Sequence, residues 1–131
     1  MRTRTGPLIS VVVPLHNEQA NVEPLAEAIA SALDAPFEIV LVDDGSTDST
    51  WEQIRSLCAH DARVRGVSLT RNFGHQNALF AGLHQARGSA VITMDGDFQH
   101  PPGLLPELLK AWRAGSKVVN TCRRDPPQTP R

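Results

Sequence analysis

The 131-residue sequence has little cysteine, little net charge and no long apolar segment. Its two cysteines, Cys58 and Cys122, lack the spacing of a metal-binding or redox motif, so we interpret them as thiols in a reducing compartment. Thirteen Lys and Arg residues against 14 Asp and Glu residues give a net charge of −1, which argues against nonspecific nucleic-acid binding. No apolar run approaches the roughly 18 residues of a membrane span, and no signal-peptide core follows the N-terminal arginines. We therefore expect a cytoplasmic chain without a transmembrane segment.

Two nucleotide-binding motifs are also missing. The absence of GxxxxGK[ST] argues against a P-loop NTPase, and the absence of GxGxxG argues against a dinucleotide-dependent enzyme. Hydrophobic residues nevertheless make up 40% of the chain and charged residues 21%, with a mean hydropathy of −0.24. This composition is typical of a soluble globular domain with a hydrophobic core, and it excludes a disordered, collagen-like or disulfide-dependent chain.

Short apolar runs alternate with amphipathic segments along the chain. The runs predict five strands, at 8–13, 37–42, 64–69, 89–94 and 117–121. We expect the first strand to stop at Pro14. The alternation with helices predicts an α/β fold with a mostly parallel sheet and helices on both faces.

Four helices are predicted between these strands, at 22–33, from about 51 to 60, between Gly74 and Gly88, and at 104–114. Asn21 is the expected cap of the first helix, and Leu83 is expected to face inward from the third. We assign residues 1–7 to a flexible N-terminal arm, 8–122 to a single domain and 123–131 to a disordered, proline-rich tail.

Polar and charged side chains follow four of the predicted strands. In an open parallel sheet, ligands bind beyond the carboxyl ends of the strands, so these side chains form one candidate site. In chain order they are His16, Asn17 and Glu18; Asp43 and Asp44; Arg71, Asn72 and Gly74; and Asp95, Asp97, Gln99 and His100.

Asp95 and Asp97 stand two residues apart where the fourth strand ends. Two carboxylates at this spacing can converge on a hard cation, and Mg²⁺ and Mn²⁺ both accept carboxylate, phosphate and water ligands. Such a cation would neutralise a diphosphate and stabilise it as a leaving group. The alternative interpretation is a plain acidic turn.

Asp43 and Asp44 end the second strand. A carboxylate there can accept hydrogen bonds from the ring N–H groups of a base or from ribose hydroxyls, whereas the acid and hydroxyl groups at 46–48 are better explained as caps of the next helix. Glu18 could contact a base or ribose, or be a solvated acid in the first helical turn. Arg71 could contact phosphate oxygens, hold the aspartates in place, or lie on the surface.

Four segments in this order resemble glycosyltransferase family 2 enzymes with the GT-A fold. They are VVVPLHNE (11–18), VLVDDGSTDST (40–50), LTRNFGHQNAL (69–79) and MDGDFQHPP (94–102). The last two are similar to the subgroup that transfers sugars to polyprenyl phosphates. The resemblance spans residues 8 to 122 and implies a Rossmann-like GT-A nucleotide-sugar-binding half.

The resemblance also implies roles for individual residues. Pro14, His16 and Glu18 would line the base pocket, although Tyr is frequent in the family where His16 stands. Asp43 and Asp44 would bind base and ribose, and Asp95 and Asp97 would be the metal-binding acids of the DxD motif. Gln99 would lie near the metal or phosphate, and Arg71 would lie beside the donor diphosphate.

The implied reaction is an inverting, metal-dependent transfer of sugar from a UDP- or GDP-sugar to an acceptor, with a polyprenyl phosphate as the implied acceptor in cell-envelope biosynthesis at the inner face of the membrane. Family catalytic domains run well beyond 131 residues. The alternative is therefore a truncated, non-catalytic nucleotide- or nucleotide-sugar-binding remnant. A half sheet could also expose an apolar face, so we expect self-association.

Overall fold

The computed structural model describes residues 7–96, 103, 105–107 and 110. The predicted fifth strand, the tail at 123–131 and residues 1–6 of the predicted arm lie outside these residues, and the predicted fourth helix lies only partly within them.

The strands in the described part of the chain form one parallel sheet. They are β1 (Ile9–Leu15), β2 (Phe37–Asp43), β3 (Val64–Ser68) and β4 (Ala90–Thr93), arranged in the order β3-β2-β1-β4. All residues of β1 and β2 are buried, as expected for parallel strands that are covered on both faces. The predicted α/β fold with a parallel sheet is therefore confirmed.

Helices cover both faces of this sheet. They are α1 (Val22–Ala32), α2 (Thr50–His60) and α3 (His75–Gln85). The side chains of α1 and α2 pack in one hydrophobic cluster with one face of the sheet, and Ala78 of α3 packs in a second cluster with the other face. In α1, Val22, Leu25 and Ile29 are fully buried, and burying each such aliphatic side chain contributes about 1.5–3 kcal/mol.

The prediction that β1 stops at Pro14 is wrong, because β1 continues to Leu15. Even-numbered residues of β1 direct their backbone groups toward β4, as the carbonyl of Val12 shows by accepting the N–H of Met94 at 3.0 Å. Pro14 points the same way but lies beyond Thr93, the last residue of β4. The N–H that proline lacks is therefore not needed for sheet pairing.

The third helix also differs from its prediction. It ends at Gln85, before Gly88, and Leu83 is exposed rather than inward-facing. Small residues face the sheet instead. A Cβ atom at Gly82 would lie 2.4 Å from Cγ1 of Val12 and 2.9 Å from Cγ2 of Val42. This close approach turns Leu83, one residue further along the helix, away from the sheet.

A buried carboxylate joins several elements at the amino end of the sheet. Glu38 of β2 accepts hydrogen bonds from the Ser10 hydroxyl at 2.6 Å, the Arg87 N–H at 2.6 Å and the Arg65 guanidinium at 2.9 Å. Burial acts to raise the pKa of Glu38, but these hydrogen bonds and the charge of Arg65 outweigh it and hold the pKa below its usual value. The cluster thus ties β1, β2, β3 and the end of α3 together.

The strand order reverses direction next to β1. The chain runs from β1 to β2 to β3 on one side, and β4 then pairs with the other side of β1. In open α/β sheets, the crevice that binds ligands lies at the carboxyl ends of the strands where the order reverses. In this sheet, the expected ligand-binding crevice therefore lies at the loops that follow β1 and β4.

Candidate functional site

Asn17 connects the loop after β1 to the loop after β2. Its side-chain Oδ1 accepts hydrogen bonds from the N–H of Thr47 at 2.8 Å and of Asp48 at 3.3 Å, and its own N–H donates to Oγ of Ser46 at 2.9 Å. Its backbone has a φ of 53°, a left-handed conformation that asparagine tolerates better than most residues. Asn17 therefore shapes the carboxyl edge of the sheet.

Thr50, the first residue of α2, makes a second connection between the same loops. Its hydroxyl accepts the N–H of Glu18 at 2.9 Å, and its own N–H donates to Oδ1 of Asp48 at 2.9 Å. The prediction that the 46–48 segment caps α2 is thus correct in effect, although the residue at the N-cap position is Ser49, whose side chain makes no capping hydrogen bond.

The Glu18 carboxylate is partly buried and has a close neighbour. Its Oε2 accepts the side-chain N–H of Asn21 at 2.8 Å. Asn21 stands at the N-cap position of α1, as predicted, but its side chain makes no capping hydrogen bond to α1. The side-chain amide of Asn21 instead holds the Glu18 carboxylate in place in the loop after β1.

Asp43 and Asp44 are 3% and 4% exposed at the end of β2. Oδ1 of Asp43 accepts the N–H of Ser46 at 3.1 Å, and Oδ1 of Asp44 accepts the N–H of Phe73 at 2.8 Å. Each carboxylate therefore holds a loop in place. Within the described residues, the Oδ2 atom of each takes no hydrogen bond, so it keeps its accepting capacity.

His16 is exposed and has a defined orientation. Its Nδ1 lies 2.8 Å from the carbonyl oxygen of Asp44. A carbonyl only accepts, so Nδ1 carries a proton. Nε2 lies 3.4 Å from the side-chain nitrogens of both Asn17 and Asn72, from which it can accept. His16 thus lies between three of the loops at this edge.

Gly45 allows the loop after β2 to approach the loop after β3. Its φ is 65°, and a Cβ atom there would lie 2.3 Å from the carbonyl carbon of Arg71 and from the backbone nitrogen of Asn72. Only glycine combines this left-handed conformation with so close a backbone contact. The loops that carry Asp44 and Arg71 therefore stay adjacent.

Arg71 is exposed, and its guanidinium lies over the Phe73 ring at 4.6 Å from the centroid. This cation–π contact holds the side chain on the surface of the loop after β3. Among the residues that the structure describes, Arg71 forms no ion pair with an acid. It is therefore placed to meet an anion at this edge.

Asp95 follows β4 and its side chain is 28% exposed. Its Oδ1 lies 3.5 Å from Nε2 of His75, the first residue of α3. The neighbouring Gly96 is buried, and it packs so closely that a Cβ atom there would lie 2.1 Å from Cδ2 of the buried Leu15. The Asp95 carboxylate thus lies where the strand order reverses, between the end of β4 and the start of α3.

The candidate metal site is described only in part. Asp95 lies within the described residues, and the predicted second acid, Asp97, and Gln99 lie outside them. Within the described ranges, no group of three His, Cys, Asp or Glu side chains could hold a metal ion. The Asp95 carboxylate itself fits a hard cation such as Mg²⁺, which commonly takes one or two carboxylates and completes its shell with phosphates and water.

The structure brings most of the sequence-predicted residues to one edge, gives a structural role to Asn17, and adds Thr50. Pro14, His16, Glu18, Asp43, Asp44, Arg71 and Asp95 lie at or next to the carboxyl ends of β1, β2, β3 and β4. Asn17 and Thr50 join the loops but received no role from the sequence. The role of Asn17 in the loop could have been predicted, because asparagine tolerates a left-handed backbone and this one directly follows a strand. The contact made by Thr50 could not, because a hydroxyl at the start of a helix does not indicate which loop it will bind.

The fold and this edge define an α/β domain of the GT-A glycosyltransferase type. A solved structure of glucosyl-3-phosphoglycerate synthase from Mycobacterium tuberculosis, in complex with Mn²⁺, UDP and glucosyl-3-phosphoglycerate, superposes with a TM-score of 0.68 at 29% identity, over 85% of this chain and 41% of that one. The mannosyltransferase PcManGT from Pyrobaculum calidifontis, in complex with GDP-Man and Mn²⁺, gives a TM-score of 0.63 at 31% identity, over 70% and 28%.

The amino-acid sequence matches the model of a known protein family. The family model described as glycosyl transferase family 2 matches residues 10–130, and the chain belongs to this family. It is 41% identical over 122 residues to the undecaprenyl-phosphate 4-deoxy-4-formamido-L-arabinose transferase of Aeromonas hydrophila. That match covers 90% of this chain and 37% of the relative, so the chain spans little more than a third of the relative's length.

Proposed function

We propose that the carboxyl edge of this sheet binds a nucleotide-diphosphate sugar together with Mg²⁺ or Mn²⁺, for transfer of the sugar to a polyprenyl phosphate. The observation that carries the proposal is the meeting of the Asp44, Arg71 and Asp95 loops where the strand order reverses. The solved relatives in complex with UDP or GDP-Man and Mn²⁺ support this choice of ligand.

The described side chains suggest how a donor would be held. The Oδ2 atoms of Asp43 and Asp44 retain accepting capacity for base or ribose donors, and Glu18 and His16 line the neighbouring loop beside Pro14. Arg71 would contact the diphosphate oxygens. Asp95 would hold the metal, with Asp97 as the second proposed ligand and Gln99 beside it. The bound metal would neutralise the charge that develops on the diphosphate leaving group.

Transfer requires a nucleophile but not a dedicated base. A phosphate oxygen of the lipid acceptor would attack C1 of the sugar opposite the leaving group. The bond from C1 to the β-phosphate oxygen would break, and its electron pair would leave with the nucleoside diphosphate, which inverts the configuration at C1. Orienting the acceptor for this step is worth about 7–11 kcal/mol, so acceptor-binding residues matter as much as the donor site.

The polyprenyl phosphate acceptor is supported by the Aeromonas relative, whose name specifies undecaprenyl phosphate. No helix in the described portion of the chain has the length and apolarity needed to cross a bilayer. We propose that the chain works in the cytoplasm at the inner face of the membrane, where such a lipid phosphate would be reached.

The proposal is tested by calorimetric titration of the purified chain with UDP and with GDP, each with and without Mn²⁺. We expect one nucleotide to bind in a metal-dependent manner, and Asp95→Ala to weaken binding by about tenfold or more, which corresponds to 1.4 kcal/mol. Asp34→Ala is the matched control, because Asp34 is an exposed acid in the loop before β2 at the opposite edge. Absence of binding by a folded chain would refute the proposal.

A second candidate is donor binding without transfer. It is favoured by the side chains described at the carboxyl edge, to which we assign contacts with the donor and the metal but none with the acceptor. The two candidates are separated by mixing the chain with a radiolabelled UDP- or GDP-sugar and undecaprenyl phosphate in detergent. Labelled lipid would support transfer, and nucleotide binding without labelled lipid would support the second candidate.

A further inference from the structure

A groove with a volume of about 550 Å³ runs beside β3, between α2 and the end of α3. Its lining includes Trp51, Arg55, Cys58, Arg65, Gly66 and Arg87. None of the residues proposed for the nucleotide site lines this groove. Burial raises the pKa of the Cys58 thiol, so Cys58 contributes a neutral side chain to the groove rather than a reactive thiolate.

The groove exposes the backbone of an edge strand. In the described sheet, β3 pairs only with β2. Ile39 lies opposite Val64, and the Ile39 N–H donates to the carbonyl of Arg63 at 2.8 Å. This parallel register directs odd-numbered residues of β3 toward β2 and even-numbered ones outward. Gly66 therefore turns its N–H and C=O toward the groove, where an extended chain could pair with them.

The groove is also positively charged. Its arginines come from α2, β3 and the segment after α3, and none of the described lining residues is acidic. Arg65 is paired with Glu38 at 2.9 Å. Within the part of the chain that the structure describes, the side chains of Arg55 and Arg87 have no hydrogen bond or ion pair. Two positive charges thus remain uncompensated beside the strand edge.

Arginines lie on both faces of β3. A Cβ atom at Gly66 would meet Ile54 and Trp51 of α2. The face of β3 that carries the side chains of even-numbered residues is therefore covered by α2, the helix of Arg55. The Arg65 side chain donates to the carbonyl of Gln85 at 2.7 Å. The face of β3 that carries the side chains of odd-numbered residues therefore lies on the side of α3 and Arg87. An added strand would alternate in the same way, so acidic residues on either of its faces would meet an arginine.

We propose that this groove binds an extended, acidic polypeptide segment of a partner protein, which adds to β3 as a further strand. A second copy of this chain fits less well, because pairing β3 with itself would bring the arginines of the two copies together. The interaction would leave the carboxyl edge of the sheet open for nucleotide.

The probe is a short fluorescein-labelled peptide in which Glu alternates with Val and Thr, titrated with the whole chain by fluorescence polarisation. We expect saturable binding that the double variant Arg55→Glu/Arg87→Glu weakens by about tenfold or more. Lys110→Glu is the matched control, since Lys110 is exposed and does not line the groove; we expect a change of less than about twofold. If circular dichroism shows that the double variant is unfolded, Arg55→Ala and Arg87→Ala replace it.

Two further probes distinguish strand addition from binding of any anion. The same peptide with an N-methyl group at every residue keeps its charges but loses its backbone donors, and we expect it not to bind. Inorganic pyrophosphate is the small-anion probe, and we expect it not to displace the peptide at equal concentration. The proposal is overturned if the unmodified peptide does not bind, if the N-methylated peptide binds equally well, if pyrophosphate displaces it, or if Lys110→Glu weakens binding as much as the double variant.

Discussion

Single side chains at the carboxyl edge hold together loops that are far apart in the sequence. Asn17 reaches the backbone of the loop after β2, and Asp44 reaches the N–H of Phe73 after β3. Such contacts pre-organise a binding edge, since the loops need not be ordered when a ligand arrives. Asn17 thus shapes the edge without a proposed ligand contact, whereas Asp44 both holds a loop through Oδ1 and is proposed to contact the ligand through Oδ2.

Asn17 gives a prediction at this scale. Asn17→Ala removes the oxygen that accepts the N–H groups of Thr47 and Asp48 and adds strain at a φ of 53°. We expect the free energy of unfolding to fall by about 1–3 kcal/mol, measured by urea denaturation. Asn17→Asp keeps an accepting oxygen and is expected to lose less than half as much. Equal losses in the two variants would mean that these hydrogen bonds do not stabilise the loop.

The sequence predicted the position of these residues better than their contacts. Asp43 and Asp44 could be placed at a strand end because a β-branched run stops there. Their partners could not be predicted, because Phe73 is 29 positions from Asp44 and comes near only when β3 pairs with β2. Asp97 and Gln99 keep their predicted roles as proposals, as do Arg71 and Asp95.

At the scale of elements, strand and helix periodicity predicted the described segments well, and the deviations have local causes. Pro14 stays within β1 because its missing N–H faces the side where β4 has already ended. Leu83 is exposed because the sheet contact of α3 is made by Ala78 and Gly82 instead. The apolar pattern alone could not show that a glycine would take the place of a large side chain at a helix–sheet contact.

The Glu38 cluster, which joins several elements, predicts a pH dependence. The folded-state pKa of Glu38 lies below its usual value of 4.5, so its stabilising effect is fully present above about pH 4.5 and is lost as pH falls through the folded-state pKa. At pH 7 we expect Glu38→Gln to lower the free energy of unfolding by about 1–3 kcal/mol. The difference from wild type should shrink below pH 4.5.

Chemical denaturation at a series of pH values checks this expectation. Glu27→Gln is the matched control, because Glu27 is an exposed acid of α1, and its effect should be small throughout. A constant difference between wild type and Glu38→Gln from pH 7 to below pH 4 would contradict the account of the cluster.

At the scale of the whole molecule, the outer side of α3 is unusually apolar. Phe80 is 58% exposed and Leu83 is 37% exposed, three residues apart on the same helix. We expect the chain to self-associate through this surface at high micromolar concentration, which light scattering would show as a mass above the 14.3 kDa of one chain. Phe80→Lys/Leu83→Lys should bring the mass toward one chain, whereas His84→Lys should not. A monodisperse monomer of the wild-type chain would refute this expectation.

The order of the strands is the feature of the whole molecule that the sequence left open. Alternating strands and helices predicted a parallel sheet, but local patterns do not say on which side of β1 the fourth strand pairs. The order β3-β2-β1-β4 brings Asp95 next to the loop that carries His16 and Glu18. This reversal of strand order is what assembles separate motifs into one edge.

The most direct test of the account is to locate the metal–nucleotide complex by paramagnetic broadening in ¹H–¹⁵N NMR spectra. The chain is loaded with UDP or GDP, whichever binds, and a small amount of Mn²⁺ is compared with the same amount of Mg²⁺. We predict that Mn²⁺ broadens the amide signals of His75, Asp95 and Gly96 and leaves those of Arg65 and Gly88, toward the amino end of the sheet, sharp. Broadening centred on Arg65 and Gly88, or none at all in a chain with nucleotide bound, would contradict the assignment of the carboxyl edge as the donor site.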